Sequence, residues 1–340
     1  MMLPSKEEIK DAITTPDCLI LTEIEGFSSI PGILGPLQYP GGFSIVFPFT
    51  NGKSQKAVRV WHREIPLIKD RLQVLSSYLD SIEKPRCFIN YHYYSGALKC
   101  KGEALDVVIM DWVEGKTLKD YINQIICNRN ALDIRDALVN LAKSFFLMFQ
   151  KLHELSICHG DLQHGNIIIR PDDEPILIDY DSVYIPQMGD RISQVTIGLS
   201  GYQHPGRKYS KYSSLSDDYF SELIIIGSLI ILSERPDIWN SFHLNEDDYS
   251  LVFTQNDYSD FLQSKIVKAL KDSSIETQFI LLKIREALSA ALSQLKPIED
   301  LLSNIEPFKA LVNKSLYCIN CASKFQDDDI YCINCGTKRI

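Results

Sequence analysis

The chain has 340 residues, of which 45% are hydrophobic and 23% are charged, and its net charge is −9 with histidine neutral. This composition is typical of a globular protein with a large buried core, which excludes a disordered or fibrous chain. The negative charge argues against binding to nucleic acid or to an anionic membrane, because both attract basic surfaces.

Neither a secretory signal nor a membrane span is expected. The first fifteen residues lack an apolar core of the kind that a signal peptide needs. The most apolar run, residues 220–232, contains Glu222 and is too short to cross a bilayer, so it predicts a buried helix. We therefore expect a cytoplasmic protein whose cysteines are reduced.

The first part of the chain is predicted to be rich in strands. A short helix at residues 5–12 and a loop rich in proline and glycine come first. A helix is also predicted at residues 65–82, where apolar residues repeat at intervals of three and four. Four strands are predicted from apolar and β-branched runs, at residues 42–49, 56–62, 86–94 and 106–113.

The second part is predicted to be mainly helical. Asp133 is a plausible N-cap for the first long helix, which carries an apolar stripe. Strands followed by helices indicate an α+β fold with two lobes. The helices are predicted at residues 133–155, 217–232, 257–270 and 276–295.

Three polar residues lie at the ends of strand-like segments. Residues 159–170 read HGDLQHGNIIIR and residues 175–181 read PILIDYD, which predicts a hairpin that brings Asp179 beside Asp161 and Asn166. Phosphoryl transfer needs a carboxylate to orient the attacking hydroxyl and oxygen ligands for Mg²⁺. The pattern therefore indicates such a site. Taken alone, Asp161 fits a helix-end acid equally well.

The motif HGDLQHGN resembles the HxDxxxxN catalytic loop of the protein-kinase-like superfamily, and LIDYD stands where those proteins carry DFG. The chain is most similar to a bacterial Ser/Thr-kinase-like group, over about residues 35–295. The resemblance implies a bilobal protein-kinase-like fold in which Asp161 is catalytic. It also implies that Asn166 and Asp179 hold Mg²⁺ or Mn²⁺ with ATP. GLSGYQHP at residues 198–205 resembles the end of an activation segment.

The same resemblance implies an ATP site between the lobes. Residues 107–115, VVIMDWVEG, resemble the strand and hinge that hold adenine, although Met110 and Trp112 also fit ordinary core positions. The implied nucleotide-binding residues are Gly41, Gly42, Phe43, Val46, Ala57, Arg59, Met110, Asp111, Trp112, Val113, Asn166 and Asp179.

Several positions depart from the kinase pattern. Tyr39 and Ser44 stand where two glycines of the phosphate-covering loop are expected, and Arg59 and Gln163 each stand where a lysine is expected. The helix at residues 65–82 contains no glutamate to pair with Arg59, which could also be a solvated strand charge. These departures motivate an alternative function, a nucleotide-binding pseudokinase or scaffold. A small-molecule kinase is a third possibility.

The end of the chain carries two CxxC pairs that are separated by ten residues. Four thiolates from two such pairs form the tetrahedral set that Zn²⁺ favours, and the pattern resembles a zinc ribbon. Two disulfides or an iron–sulfur site are the alternatives. The implied ligands are Cys318, Cys321, Cys332 and Cys335.

The expected domain organisation follows from these motifs. The ribbon lacks a basic, aromatic face for nucleic acid, so we expect it to dock a protein substrate or a regulatory partner, or to act as a structural cap. The sequence does not indicate an oligomeric state. The expected divisions are an N-terminal extension at 1–37, an N-lobe at 38–113, a C-lobe at 114–295, a linker at 296–316 and the ribbon at 317–340.

Overall fold

An antiparallel sheet forms the first part of the molecule. The computed structural model describes residues 3–19, 21–312, 331 and 333–337. Helix α1, Lys6–Thr14, begins at Ser5, whose side chain accepts a hydrogen bond from the backbone N–H of Glu8. Helix α2 is Ile68–Ser81. The strands of this part are β1 Ser28–Ser29, β2 Pro31–Gly32, β3 Gly35–Pro36, β4 Tyr39–Pro40, β5 Ser44–Thr50, β6 Gln55–Trp61, β7 Tyr91–Cys100 and β8 Glu103–Asp111.

The main sheet has the strand order β1-β5-β6-β8-β7, and β4 pairs with β5. Because side chains alternate between the two faces of a sheet, β6 sends Val58 and Val60 to one face and Ala57 and Arg59 to the other. The first face packs against α1 in one hydrophobic cluster. The second face, with Ala57, joins the core of the helical part. The sheet is therefore covered on both sides.

The rest of the described chain is mainly helical, so the predicted α+β class is confirmed. The sheet part and the helical part are compatible with a two-lobed molecule. The helices are α3 Leu118–Asn128, α4 Ala131–Glu154, α5 Tyr219–Glu234, α6 Ile238–Ser241, α7 Gln255–Ser259, α8 Lys265–Ala269, α9 Ile275–Ser289, α10 Ile298–Leu302 and α11 Lys309–Val312, and three short strands are β9 Lys116–Thr117, β10 Ile167–Ile169 and β11 Pro175–Leu177.

The predicted buried helix is confirmed. Residues 220–233 of α5 are all buried, and α5 packs between α4 and α9. The close contact with α9 needs a glycine, because a Cβ at Gly227 would lie 2.8 Å from Ile280 Cγ2. No helix in the described part of the chain is long and apolar enough to cross a membrane.

Two predictions about the helices are wrong. Helix α4 is capped by Asn130 rather than Asp133, because the Asn130 side chain accepts hydrogen bonds from the N–H groups of Leu132 and Asp133. Residues 257–270 form α7, a 3₁₀ turn and α8 instead of one helix. Ser264 accepts from the Val267 N–H and starts α8, which interrupts a continuous helix at that point.

A buried ion cluster links three helices of the helical part. His153 on α4 donates to Glu222 on α5 at 2.8 Å and to Glu299 on α10 at 2.9 Å. Burial alone would lower the pKa of His153, but the two carboxylates outweigh burial and raise this pKa to about 10. Residues 296–312 therefore pack on the helical part, where Phe308 also stacks on Phe146.

The His153 cluster predicts a pH-dependent stability. Because the folded pKa of His153 lies above its usual value, the stabilisation from its charge is lost as the pH rises towards about 10. Burial raises the pKa of Glu222 to about 7, so both partners are charged near pH 8. We expect His153→Gln to lower the free energy of unfolding by about 3 kcal/mol at pH 8, and by much less near pH 10. Chemical denaturation at several pH values measures this difference.

The matched control is His243→Gln, which removes an exposed histidine that pairs with Glu246. Exposed pairs contribute little, so this variant should resemble the wild type at every pH. A loss for His153→Gln that stays the same between pH 8 and pH 10 would contradict the assignment.

Candidate functional site

The loop that carries Asp161 is fixed from the helical part. The Asp218 carboxylate, at the start of α5, accepts hydrogen bonds from the backbone N–H groups of His159 and Gly160. His159 is fully buried, and its Nε2 lies 3.0 Å from the carbonyl oxygen of Ile178. A buried carboxylate and a buried imidazole thus hold the loop and the following hairpin in one arrangement.

Asn166 orients Asp161 and keeps one oxygen for other contacts. Its side-chain Nδ2 donates to the backbone oxygen of Asp161 at 2.9 Å and to Asp161 Oδ2 at 3.2 Å. This leaves the amide oxygen of Asn166 as an acceptor. Asp161 Oδ1 is buried without a hydrogen-bond partner among the described residues. Burial and the nearby charge of Asp179 raise the pKa of Asp161 to about 6.

The predicted hairpin is confirmed, and it brings Asp179 to the same place. Strands β10 and β11 pair antiparallel, and the backbone N–H of Ile178 donates to the Asn166 carbonyl at 3.0 Å. Asp179 has the left-handed backbone angle φ 66°, which is unusual for a residue other than glycine. Its side chain is 42% exposed, so it faces the space between the sheet and the helical part.

Arg59 joins the sheet to this loop and is not a solvated strand charge. It is only 6% exposed. Its Nη2 donates to Asp179 Oδ1 at 2.8 Å and to Asp181 Oδ2 at 2.7 Å. Burial acts to raise the pKa of Asp179, but the Arg59 charge outweighs burial and holds this pKa below its ordinary value.

The sequence did not predict that Ser44 and Asp181 contact Arg59. Ser44 Oγ accepts from Arg59 Nε at 2.7 Å, although Ser44 stands where a glycine was expected. Asp181 is 5% exposed and also accepts from Trp61 Nε1 at 3.3 Å. The DYD spacing of Asp179 and Asp181 was the available signal, because it places two carboxylates in one turn.

The predicted adenine-binding residues line the seam between sheet and helices. Ala57 pairs with Met110 across β6 and β8, and both are buried. Val46, Trp112 and Val113 are half-buried. Trp112 packs near Tyr39, with ring centroids 5.8 Å apart.

Asp111 uses its carboxylate within the protein. It accepts from Lys56 Nζ and from Asn90 Nδ2, each at 2.7 Å. A cavity of about 530 Å³ lies beside it, lined by Trp112, Val113 and the β10–β11 hairpin among others. Asp161, Asn166 and Asp179 do not line this cavity, so it is separate from the carboxylate cluster.

The glycine turn lies next to Ser44, and the segment after β11 approaches Asp161. Gly41, Gly42 and Phe43 form the turn between β4 and β5, where the Gly41 N–H donates to the Ser44 carbonyl at 2.8 Å. The segment after β11 comes close to Asp161 at Gly198, where a Cβ would lie 2.7 Å from Asp161 Oδ1. This segment therefore covers one oxygen of Asp161.

Most of the predicted zinc site lies outside the described residues. Cys318, Cys321 and Cys332 are not described, whereas Cys335 is exposed and its Sγ lies 3.1 Å from Thr337 Oγ1. Within the described ranges, no group of three or more His, Cys, Asp or Glu side chains is placed to hold a metal ion. The zinc ribbon stays a prediction.

Comparison with known proteins gives one partial similarity. No family model matches the chain. Over 74 residues the chain is 31% identical to an EKC/KEOPS complex subunit of Schizosaccharomyces pombe. The match covers 22% of this chain and 29% of that relative, so it spans less than a third of either protein.

The loop geometry predicts a strict need for glycine at position 160. Gly160 has φ 77°, and a Cβ there would lie 2.3 Å from the Ser182 carbonyl oxygen. We expect Gly160→Ala to lower the free energy of unfolding by about 3 kcal/mol or more, measured by chemical denaturation.

Gly102→Ala is the control, because Gly102 has φ 85° but open space around it. The free energy of unfolding of this variant should fall by only about 1 kcal/mol, because alanine disfavours the left-handed backbone conformation. Equal losses in the two variants would show that the contact with Ser182 does not constrain the loop.

Proposed function

We propose that the chain has a bilobal protein-kinase-like fold and transfers the γ-phosphoryl group of ATP to a Ser or Thr hydroxyl of a protein. The observation that carries this proposal is the convergence of Asp161, Asn166, Asp179 and Arg59 on one place between the sheet and the helices. The proposed lobes are residues 38–113 and residues 114–295, with the nucleotide between them.

The donor set fits a hard cation such as Mg²⁺ or Mn²⁺. Asn166 keeps its amide oxygen as an acceptor because Nδ2 is used by Asp161. Asp179 offers a half-buried carboxylate that Arg59 keeps ionised. Mg²⁺ typically takes one or two such protein ligands and completes its shell with phosphate oxygens and water. When bound, the cation would neutralise charge on the phosphates.

Asp161 would orient the acceptor hydroxyl. With a pKa of about 6 its carboxylate is mostly ionised at neutral pH, and Oδ1 lacks a partner among the described residues. A carboxylate in that state can accept the hydroxyl proton and point the oxygen at the phosphorus. Arg59 would contact phosphate oxygens, since a guanidinium binds them through paired N–H groups.

A protein acceptor suits the segment that follows the cluster. Residues 182–205 lie over the helical part, where Tyr184 bridges to Cys158 and Ser193 bridges to Tyr212. An extended segment beside Asp161 suits peptide docking better than a closed small-molecule pocket. The EKC/KEOPS relative is named as a subunit of a complex, which agrees with a protein partner for this chain.

One observation favours the alternative, a nucleotide-binding pseudokinase. Asp161 Oδ1 is buried beneath Gly198, so an acceptor hydroxyl cannot reach that oxygen unless the segment moves. A pseudokinase would bind MgATP without transferring phosphate. Intact mass of the dephosphorylated protein after incubation with MgATP separates the two functions, because only the kinase gains phosphate.

Substitution of the two aspartates is the direct test of the proposed chemistry. We expect Asp161→Asn to lower phosphoryl transfer at least about a hundredfold while ATP binding is kept, because the variant loses only the orienting carboxylate. Asp179→Asn should lose Mg²⁺-dependent ATP binding. Radiolabel incorporation and calorimetry measure these effects.

The control is Asp272→Asn, which changes an exposed acid after α8 that lines neither the cavity nor the carboxylate cluster, and it should leave both properties unchanged. Unchanged transfer in Asp161→Asn with a normal melting temperature would refute the catalytic role.

We also propose that the four C-terminal cysteines bind one structural zinc ion and that the resulting ribbon docks a protein substrate or a regulatory partner. So short a segment lacks the residues to build a hydrophobic core, which a closed Cys₄ site replaces. We expect equimolar zinc in the purified protein and its loss in Cys332→Ser, measured by elemental analysis. Cys127→Ser, at an exposed position of α3, should keep the zinc. A zinc-free wild type would refute the site.

A further inference from the structure

The buried guanidinium of Arg59 pairs with two carboxylates, and only one of them is proposed to bind a metal ion. Asp179 and Asp181 lie two residues apart, and both accept from the same Nη2 of Arg59. They differ sharply in exposure, since the side chain of Asp179 is 42% exposed and that of Asp181 is 7% exposed. The Asp179 carboxylate is therefore accessible from the proposed site, whereas the Asp181 carboxylate is buried.

Helix α2 does not provide a carboxylate to this cluster. Its two acids, Asp70 and Asp80, are both exposed. The residue that α2 buries near the cluster is Arg71, which is 2% exposed. Arg71 donates to the carbonyl oxygens of Val183 and Ser193, and its charge acts on Asp181. Helix α2 thus contributes the buried cation Arg71, whereas the resemblance to kinases implies a buried glutamate on this helix.

The buried carboxylate of Asp181 is held by hydrogen bonds from two side chains. Asp181 Oδ2 accepts from Arg59 at 2.7 Å and from Trp61 Nε1 at 3.3 Å. The Arg59 guanidinium carbon lies 5.4 Å from the centre of the Trp61 ring, and Ser44 holds its Nε. Asp181, Trp61 and Ser44 therefore hold Arg59 even without the contact to Asp179.

We infer that Asp181 is the positioning residue for Arg59 and takes the place of a helix carboxylate, so that Asp179 is free to turn to the cation. The inference rests on the proposed nucleotide site. It follows that the ion pair that orients the phosphate-binding cation joins β6 to the turn after β11, and that its carboxylate does not come from α2. Arg71 instead ties α2 to the backbone of the segment.

Nucleotide affinity in a double-mutant cycle tests this role. The dissociation constant for MgATP is measured by calorimetry for the wild type, Asp181→Asn, Arg59→Met and the double variant. We expect Asp181→Asn to weaken binding about 30-fold, because removing one partner of a buried charge pair is costly. The double variant should bind no more weakly than Arg59→Met alone, since Asp181 acts through Arg59.

Asp257→Asn is the control for a loss of stability alone. Asp257 is a half-buried acid of α7 that accepts from the Thr254 N–H at 2.8 Å and from Ser264 Oγ at 2.7 Å, and neither partner belongs to the Arg59 cluster. This variant should lower the melting temperature without changing MgATP affinity.

The outcomes separate the two proposals. Wild-type affinity in Asp181→Asn, or strictly additive losses in the double variant, would overturn the positioning role while the kinase proposal stands. Failure of the wild type to bind MgATP would overturn both.

A second measurement covers the case in which Asp181→Asn does not fold. In a crystal structure of the wild type with Mg²⁺ and a non-hydrolysable ATP analogue, we expect Asp181 to stay within hydrogen-bond distance of Arg59 while Asp179 contacts the cation. An Asp181 carboxylate bound to the cation, or an Arg59 that has left Asp181, would overturn the inference.

Discussion

The arrangement depends on one buried cation that bridges the sheet and the helical part. Arg59 comes from the middle of β6 and meets Asp179 and Asp181, which lie 120 and 122 residues later in the chain. A buried guanidinium without a partner would be strongly destabilising, so the sheet and the hairpin must keep this relation. The same contact places the sheet beside the loop and hairpin in which Asp161, Asn166 and Asp179 meet. The ion pairs of Arg59 therefore both stabilise the fold and position a proposed phosphate-binding group.

The rest of the site is held by hydrogen bonds within the helical part that do not involve Arg59. Asp218 and His159 fix the loop that carries Asp161, and Asn166 orients Asp161. These groups are buried and mutually satisfied, so they can hold a carboxylate at a raised pKa without unfolding the loop. The amide oxygen of Asn166 and the half-buried carboxylate of Asp179 are the groups that we propose bind a cation.

The sequence predicted those parts of the site whose geometry is local. HGDLQHGN fixes Asp161 and Asn166 within one turn, and the turn before β11 returns Asp179 to the same place. The partners of Arg59 could not be predicted, because Asp181 and Ser44 meet it only after the sheet packs on the hairpin. The cap of α4 was misplaced for a related reason, since Asn130 and Asp133 are equally plausible caps until the backbone is known.

We propose that three oxygen-bearing side chains and Arg59 form a site for a metal–nucleotide complex. Calorimetric titration of the wild-type protein with ATP, in the presence of Mg²⁺ and again with the cation removed by a chelator, measures whether such a site exists. We expect one ATP to bind per chain with Mg²⁺ and a much weaker interaction without it. Absence of binding in Mg²⁺, or equal binding with and without the cation, would show that these groups do not form the site.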